Sequence, residues 1–438
     1  MLSKRLLCGL FVTAMTFIGS YGFGAGFALY EGSARGNVLG GLTGHGDDAA
    51  AVFYNPAGIT NLEGTHIMGG LTLIYPYADL TTTNLYDPSS SSKASYEDNI
   101  FYPPHAYYTK QLNDKWWLGV GFYSRFGLGS EFDDDWDGRY SSTNADIATV
   151  TLNPNIAVKV NDNFSLAFGV NATYIDVTLE QAIDSSRFMA QNFNDPRTNA
   201  LDAKQTIEGD NLGYGFNLAA FFKVNDQWSF GLTYNSKIEQ HITGGTAKYE
   251  RPSAPVPDTW FVDTNVDADP IDLPESIFFG ASYKHSEKFG MGFGVVYTGW
   301  GSLERLTFNY ENPIIVVPGL GVALDRVSRE LQWEDVFRYN VGFEYKVNDT
   351  FNLMWGVVYD ESPVPDETIS YLLPTNDRLL LNLGFGKNIG EWLFEMSYNY
   401  LSIQDRTIAQ RQLEEGVLAS EVEDGGAHLL GFSLSRKF

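Results

Sequence analysis

Few residues in this chain are spaced for catalysis. The six histidines, His45, His66, His105, His241, His285 and His428, are scattered, and no Gly-x-Ser-x-Gly elbow is present to expose and activate a serine. Asp133-Asp134-Asp135 with Asp137 offers carboxylate oxygens of the kind that hold divalent cations, but the stretch reads better as a solvated loop, so no metal site is assigned. Nothing in the sequence calls for a cofactor or a nucleotide. Arginine forks that could hold a carboxylate occur at Arg125, Arg139, Arg305, Arg338 and Arg378, with Arg125 and Arg139 taken as the candidates. Asn55-Pro56-Ala57-Gly58 is the other polar feature. Proline restricts the residue before it to extended backbone, so the Asn55 amide is held in a rigid turn and aimed at one point.

These groups need a scaffold, and composition limits which one. The chain has 438 residues, 29 basic against 54 acidic, a net charge of −25. That balance is wrong for nucleic-acid binding, which needs basic surface to neutralise phosphates. Mean hydropathy is −0.18, and no apolar run reaches the roughly 18 residues of a spanning helix, so a polytopic helical membrane protein is excluded. Lys4 and Arg5 precede an apolar stretch, Leu6 to Ile18, and the small residues around Gly22 and Gly24. This is the layout of a cleaved export signal, residues 1–24. Removing it takes away Cys8, the one cysteine in the sequence.

Residues 25–64 are Gly-rich and irregular. Beyond them period 2 dominates. Leu118, Val120 and Phe122 alternate with Gly119, Gly121 and Tyr123, and Trp392, Phe394, Met396, Tyr398 and Tyr400 alternate with Leu393, Glu395, Ser397 and Asn399. Alternation puts each set on one face of a strand. Large apolar side chains on one face and small or polar ones on the other suit a barrel with its greasy side toward lipid.

A turn recurs as Asn113-Asp114, Asn161-Asp162, Asn225-Asp226 and Asn348-Asp349, with looser copies at Ser286-Glu287 and Gly390-Glu391, each followed closely by an aromatic. Such pairs tolerate the positive φ of tight hairpins, and the aromatics suit a membrane interface. Six hairpins join twelve strands. One strand before them (about Thr65 to Tyr75) and one after (about Ala427 to Phe438) bring the total to fourteen, an even number as in bacterial barrels. The other connections, Tyr77 to Asn99, Asp176 to Asn211 and Gly244 to Pro274, are long and polar like extracellular loops. The expected architecture is all-β, a fourteen-stranded antiparallel transmembrane barrel over 65–438 with a plug at 25–64. The terminal Phe438 resembles the signal read by the barrel assembly machinery.

Several motifs then resemble the FadL family, outer-membrane channels for long-chain fatty acids and other hydrophobic compounds, among them TodX-like channels for aromatic hydrocarbons. They are Ala25-Gly26-Phe27, Asp47-Asp48, Phe53-Tyr54-Asn55-Pro56-Ala57-Gly58, Tyr297-Thr298-Gly299-Trp300-Gly301, Trp333-Glu334-Asp335, and Tyr359-Asp360-Glu361-Ser362-Pro363-Val364-Pro365. The resemblance implies a hatch inside the barrel, with Asn55, Pro56 and Ala57 close to the ligand. It also implies an outer groove, a deeper apolar pocket, and a lateral opening at an inward kink of the third strand. Gly119, Gly121, Gly127 and Gly129 are candidates for that kink, because glycine in a strand often marks one. The reading that follows is passive uptake of a hydrophobic compound across a bacterial outer membrane, by a single barrel that is not an enzyme. Its surroundings would be outer-membrane lipid and lipopolysaccharide. A non-specific porin is the alternative, opposed by the plug, and an outer-membrane hydrolase is third.

Overall fold

Strands that bury small polar side chains and expose large apolar ones must close on themselves, because an open edge in lipid leaves backbone groups unpaired. The computed structural model does this. It describes residues 26–84, 89–188, 199–317, 322–411 and 415–438; the expected export signal and Ala25 lie outside them. Fourteen antiparallel strands form the wall: β1 Thr65–Thr83, β2 Pro104–Gln111, β3 Trp116–Tyr123, β4 Asn144–Asn161, β5 Phe164–Asp184, β6 Asp202–Lys223, β7 Trp228–Asn235, β8 Ser276–Lys284, β9 Phe289–Thr298, β10 Val336–Asn348, β11 Phe351–Asp360, β12 Arg378–Ile389, β13 Trp392–Ile403 and β14 Ser420–Lys437. Each pairs with the next, and β14 closes on β1 from His66↔Lys437 to Thr82↔Ser420.

The two faces separate as the alternation predicts. Phe168, Leu218 and Leu383 look outward and are 46%, 48% and 62% exposed, whereas the lumen-facing Asn153, Asn155, Asn171 and Asn217 are buried. The asparagines satisfy one another across β4, β5 and β6: Asn153 donates to Asn171 at 2.7 Å and to Asn217 at 2.9 Å, and Asn217 donates to Asn155 at 3.0 Å.

All six short hairpins fall where the turn repeat puts them; Gly390 of the last takes the expected positive φ, +62°, but the asparagine turns work by other chemistry. No turn asparagine takes a positive φ. Instead the side-chain oxygen accepts backbone N–H groups within the turn: Asn113 from Lys115 and Trp116, Asn225 from Gln227 and Trp228, Asn348 from Thr350. These are Asx turns. The strand ends also differ from the expected ones. β1 runs on to Thr83 and β14 begins at Ser420. β5 and β6 pair as far as Asp184↔Asp202, although Asp176 to Asn211 reads as loop. Their lengths of 21 and 22 residues are about twice the 9–11 that cross a bilayer, so the hairpin arms project beyond the membrane and carry polar residues there.

Residues 26–64 run through the lumen. Helix α1 (Ala34–Leu39) packs on β10 to β14, and the 3₁₀ turn Pro56–Asn61 packs on β3 to β6.

Candidate functional site

The lumenal segment is held by matched small residues and asparagines. Helix α1 starts at Ser33, whose hydroxyl accepts from Gly36 N at 3.0 Å, and stops at Gly40 with φ +74°. A helix of six residues leaves most of its carbonyls unpaired. The wall supplies the partners: Asn399 donates to Asn37 O at 2.9 Å, Asn382 to Val38 O at 3.3 Å, and Asn340 to Leu39 O at 2.9 Å. Wall glycines admit the helix, since a Cβ on Gly342 would lie 2.6 Å from Leu39 Cα.

Charge fixes the same helix. Arg35 makes a two-pronged contact with Glu344 of β10 at 2.8 and 2.7 Å and reaches Asp47 at 2.9 Å. His45 is buried beside it, with Nδ1 3.5 Å from both the Arg35 guanidinium and Ser282 Oγ. Burial first, then the Arg35 charge, pushes the His45 ring below its usual value.

Asn55 is fully buried. Its amide nitrogen donates to Thr43 O and to Ala220 O of β6, both at 3.0 Å, and its oxygen accepts from Ala57 N at 3.1 Å. Pro56 opens the 3₁₀ turn that follows, and Ala57 is buried within it. The motif therefore joins the hatch to itself and to the wall. Gly119 and Gly121 face the hatch: Cβ atoms there would meet Ile59 of this turn at 3.1 Å and Val52, just before it, at 2.9 Å. They make room for the hatch within a regular strand.

The third strand breaks just beyond them, at Ser124–Phe126. Its continuation, Gly127–Glu131, still pairs with β4 through Gly127↔Ala148, whereas the pairing of β2 with β3 ends at His105↔Tyr123. The hatch takes up the freed edge: Leu29 N donates to Arg125 O and Gly127 N to Phe27 O, at 2.7 and 2.8 Å. The Arg125 side chain lies over the Phe53, Phe278 and Tyr123 rings and donates to Phe53 O at 3.2 Å. A second charged knot sits at the top of the hatch. Arg338 and Arg378 share Asp360 at 3.1 and 3.7 Å, with Arg338 over the Tyr30 ring. Trp300 packs edge-on against both Phe27 and Trp333.

Arg139 is tied within the outer loops, to Asp202 at 2.9 Å, Tyr140 Oη at 2.9 Å and Asn199 at 2.8 Å. The arginine that stands apart is Arg329, which the sequence pattern does not single out. It lies at the boundary of two cavities. Above is one of about 640 Å³ among the outer loops, lined also by Arg326, Arg411, Glu367 and Glu415. Beside it is a small one of about 20 Å³, lined by Leu179, Ile207, Phe308, Tyr310 and Leu372 together with Glu180 and Gln205. Arg329 donates to Ser141 O at 2.9 Å and to the Gln181 amide oxygen. Among the described residues it has no carboxylate within ion-pair distance. Burial pushes its guanidinium below its usual value, against the opposing pull of Tyr310 and Glu415.

Comparison with known proteins agrees with this geometry. The profile of the family described as outer membrane protein transport protein (OMPP1/FadL/TodX) matches residues 15–438. The long-chain fatty acid transport protein of Escherichia coli K12 is 24% identical over 399 residues, covering 85% of this chain and 86% of that one. Outer membrane protein P1 of Haemophilus influenzae is 24% identical over 494 residues, covering 99% and 100%. Among solved structures, a Pseudomonas aeruginosa FadL homologue superposes with a TM-score of 0.77 at 20% identity, over 94% of this chain and all of that one. The toluene transporter TodX of Pseudomonas putida gives 0.69 at 16%, over 94% and 99%.

Proposed function

The chain belongs to the OMPP1/FadL/TodX family of outer membrane transport proteins, and from that premise we propose that its cargo is a long-chain carboxylate, bound head-outward at Arg329 and released sideways through the wall. The class of activity is the family's: it is an outer-membrane barrel that transports hydrophobic compounds. The observation that supports an acidic cargo is the position of Arg329 on the wide outer-loop cavity, beside apolar side chains and with neutral hydrogen-bond partners. A carboxylate there completes the ion pair while its tail lies along the apolar walls of the wide cavity, formed by Ile183, Phe188, Ile314, Leu324 and Leu331. Each methylene buried gains about 0.8 kcal/mol, so transport runs downhill without an energy source or a catalytic step. Arg125, under its aromatic rings, is the next carboxylate partner on the way in. Asn55, Pro56 and Ala57 keep the hatch seated close to the path. The break after Tyr123, continued through Gly127 and Gly129, is the kink at which cargo leaves the lumen. The protein works as a single barrel in a lipopolysaccharide-bearing membrane, placed there by the barrel assembly machinery.

A neutral hydrocarbon is the second reading. A cavity at the wall break is lined by Glu97, Glu131 and Asp146 with no basic residue, which disfavours an ionised head group at the exit. Equilibrium binding of a long-chain fatty acid and of its methyl ester to the purified barrel separates the two. The acid should bind more tightly, and Arg329→Met should abolish the difference. Equal affinity of both ligands for the unaltered protein refutes the acidic cargo.

A further inference from the structure

At the wall break the second strand side and the third are barely joined. The segment Ser91–Ser95 pairs with β1 from Asp79↔Ser95 to Thr83↔Ser91. Phe101 is held on β1 as well, by Ile74 N to Phe101 O at 2.7 Å and Phe101 N to Ile74 O at 2.8 Å. Pro103 and Pro104 follow and have no N–H to give. Across the gap, among the described residues, one backbone hydrogen bond joins this segment to the continuation of the third strand: Glu97 N to Glu131 O at 2.9 Å. Between the two edges is a cavity of about 40 Å³ lined by Pro76, Tyr96, Phe101, Gly129, Ser130 and Asp146, among others. That is room for about one water and too little for an alkyl chain.

Phe101 fills the rest. It is only 2% exposed, and it shares one buried apolar cluster with Ile74 of β1 and Ala148 of β4. Ala148 sits at an outward-facing position of β4 and is nevertheless buried, so the second-strand side overlaps the fourth strand from outside. Its neighbour in sequence, Ile100, is 53% exposed. We infer that Phe101 is the seal of the lateral exit and sets the size of the molecule that leaves. The inference rests on sideways release of the cargo as read above. The segment bearing Phe101 is the leaf that must swing, because it is fastened on the β1 side and by a single backbone bond on the other. Opening breaks that backbone bond and the Ser92–Asp137 contact, parts the Tyr96 and Phe132 rings, and exposes Phe101 to lipid, a solvent in which a ring costs little. A branched or ring-bearing cargo needs a wider swing than a straight chain, so the residue at position 101 discriminates by girth.

The test uses the full-length protein in cells lacking other transporters of this kind, with labelled fatty acids of equal carbon number, one straight and one branched. Phe101→Ala should raise uptake of the branched acid several-fold relative to the straight one, and Phe101→Trp should lower both, with heat-modifiable mobility confirming a folded barrel. Independently, Glu97→Cys with Glu131→Cys should form a bridge where the single backbone bond now lies, in a mature chain expected to hold no other thiol. Uptake should fall when the pair is oxidised and return on reduction. An unchanged straight-to-branched ratio in Phe101→Ala, or full uptake by the oxidised pair, overturns the inference. If the oxidised pair still imports while unaltered barrels also import, the cargo leaves by another route and only the exit assignment fails. If unaltered barrels import nothing, the transport reading fails with it.

Discussion

A Cβ on Gly356 of β11 would lie 2.2 Å from the carbonyl oxygen of Val38 in α1, so wall and hatch meet there backbone to backbone. The contact explains why a glycine stands at this lumen-facing position. It also makes the seat of the hatch sensitive to one methyl group. Gly356→Ala should leave a folded, heat-modifiable barrel whose hatch is displaced. Planar-bilayer recording should then show a steady conductance that the unaltered protein lacks; equal, closed traces for both would contradict this seat.

Asn55 carries two buried carbonyls, Thr43 O and Ala220 O. Leaving buried acceptors unpaired costs about 1–3 kcal/mol each. Asn55→Ala should therefore loosen the junction of hatch and β6, raising hydrogen exchange in residues 43–61 and lowering uptake while the barrel survives unfolding assays unchanged. Exchange identical to the parent would show that the bonds do not hold the hatch.

His45 gives the hatch a pH dependence of known sign. Its folded value lies below the usual 6.5, from burial and then from Arg35, and its Nε2 is buried with no partner. The released ring takes a proton more readily, so docking is at full strength above about 6.5 and weakens as pH falls below it. Exchange of the α1 amides should speed up between pH 7.5 and 5.5, and His45→Gln should flatten the dependence. A steeper slope in His45→Gln would reverse the assignment.

Hydrogen bonds to charged groups contribute about 1.5–3 kcal/mol. Arg329→Met should thus raise the concentration for half-maximal uptake of a long-chain acid by roughly tenfold to a hundredfold, since 1.4 kcal/mol is tenfold. Uptake of an alkane of the same length should not change. Loss of both cargoes alike would point to a damaged loop instead of a lost ion pair.

The hairpins were legible because their chemistry is local. Asn113 accepts from residues two and three positions on, so six turns and a fourteen-strand count followed from short motifs, even though the turn asparagines do not take the positive φ expected of them. The strand ends were hidden, because the alternation of β1 continues past Tyr75 into Asp79 to Thr83, where polar residues pair with β14 outside the membrane. Gly119 and Gly121 read as bend positions, yet the reason for their size is Val52 and Ile59, more than fifty residues earlier in the chain. Arg329 reads as one of several charges in the short strand Arg326–Glu330. Its hydrogen bonds go to the neutral Ser141 and Gln181, contacts that no local pattern announces.

Uptake of a labelled long-chain fatty acid by sealed outer-membrane vesicles, with bilayer conductance recorded on the same preparation, tests the central claim most directly. A plugged hydrophobic channel predicts saturable uptake, competed by other long-chain acids, together with no steady conductance. Absent uptake accompanied by a large ohmic conductance would contradict it and leave an open aqueous pore.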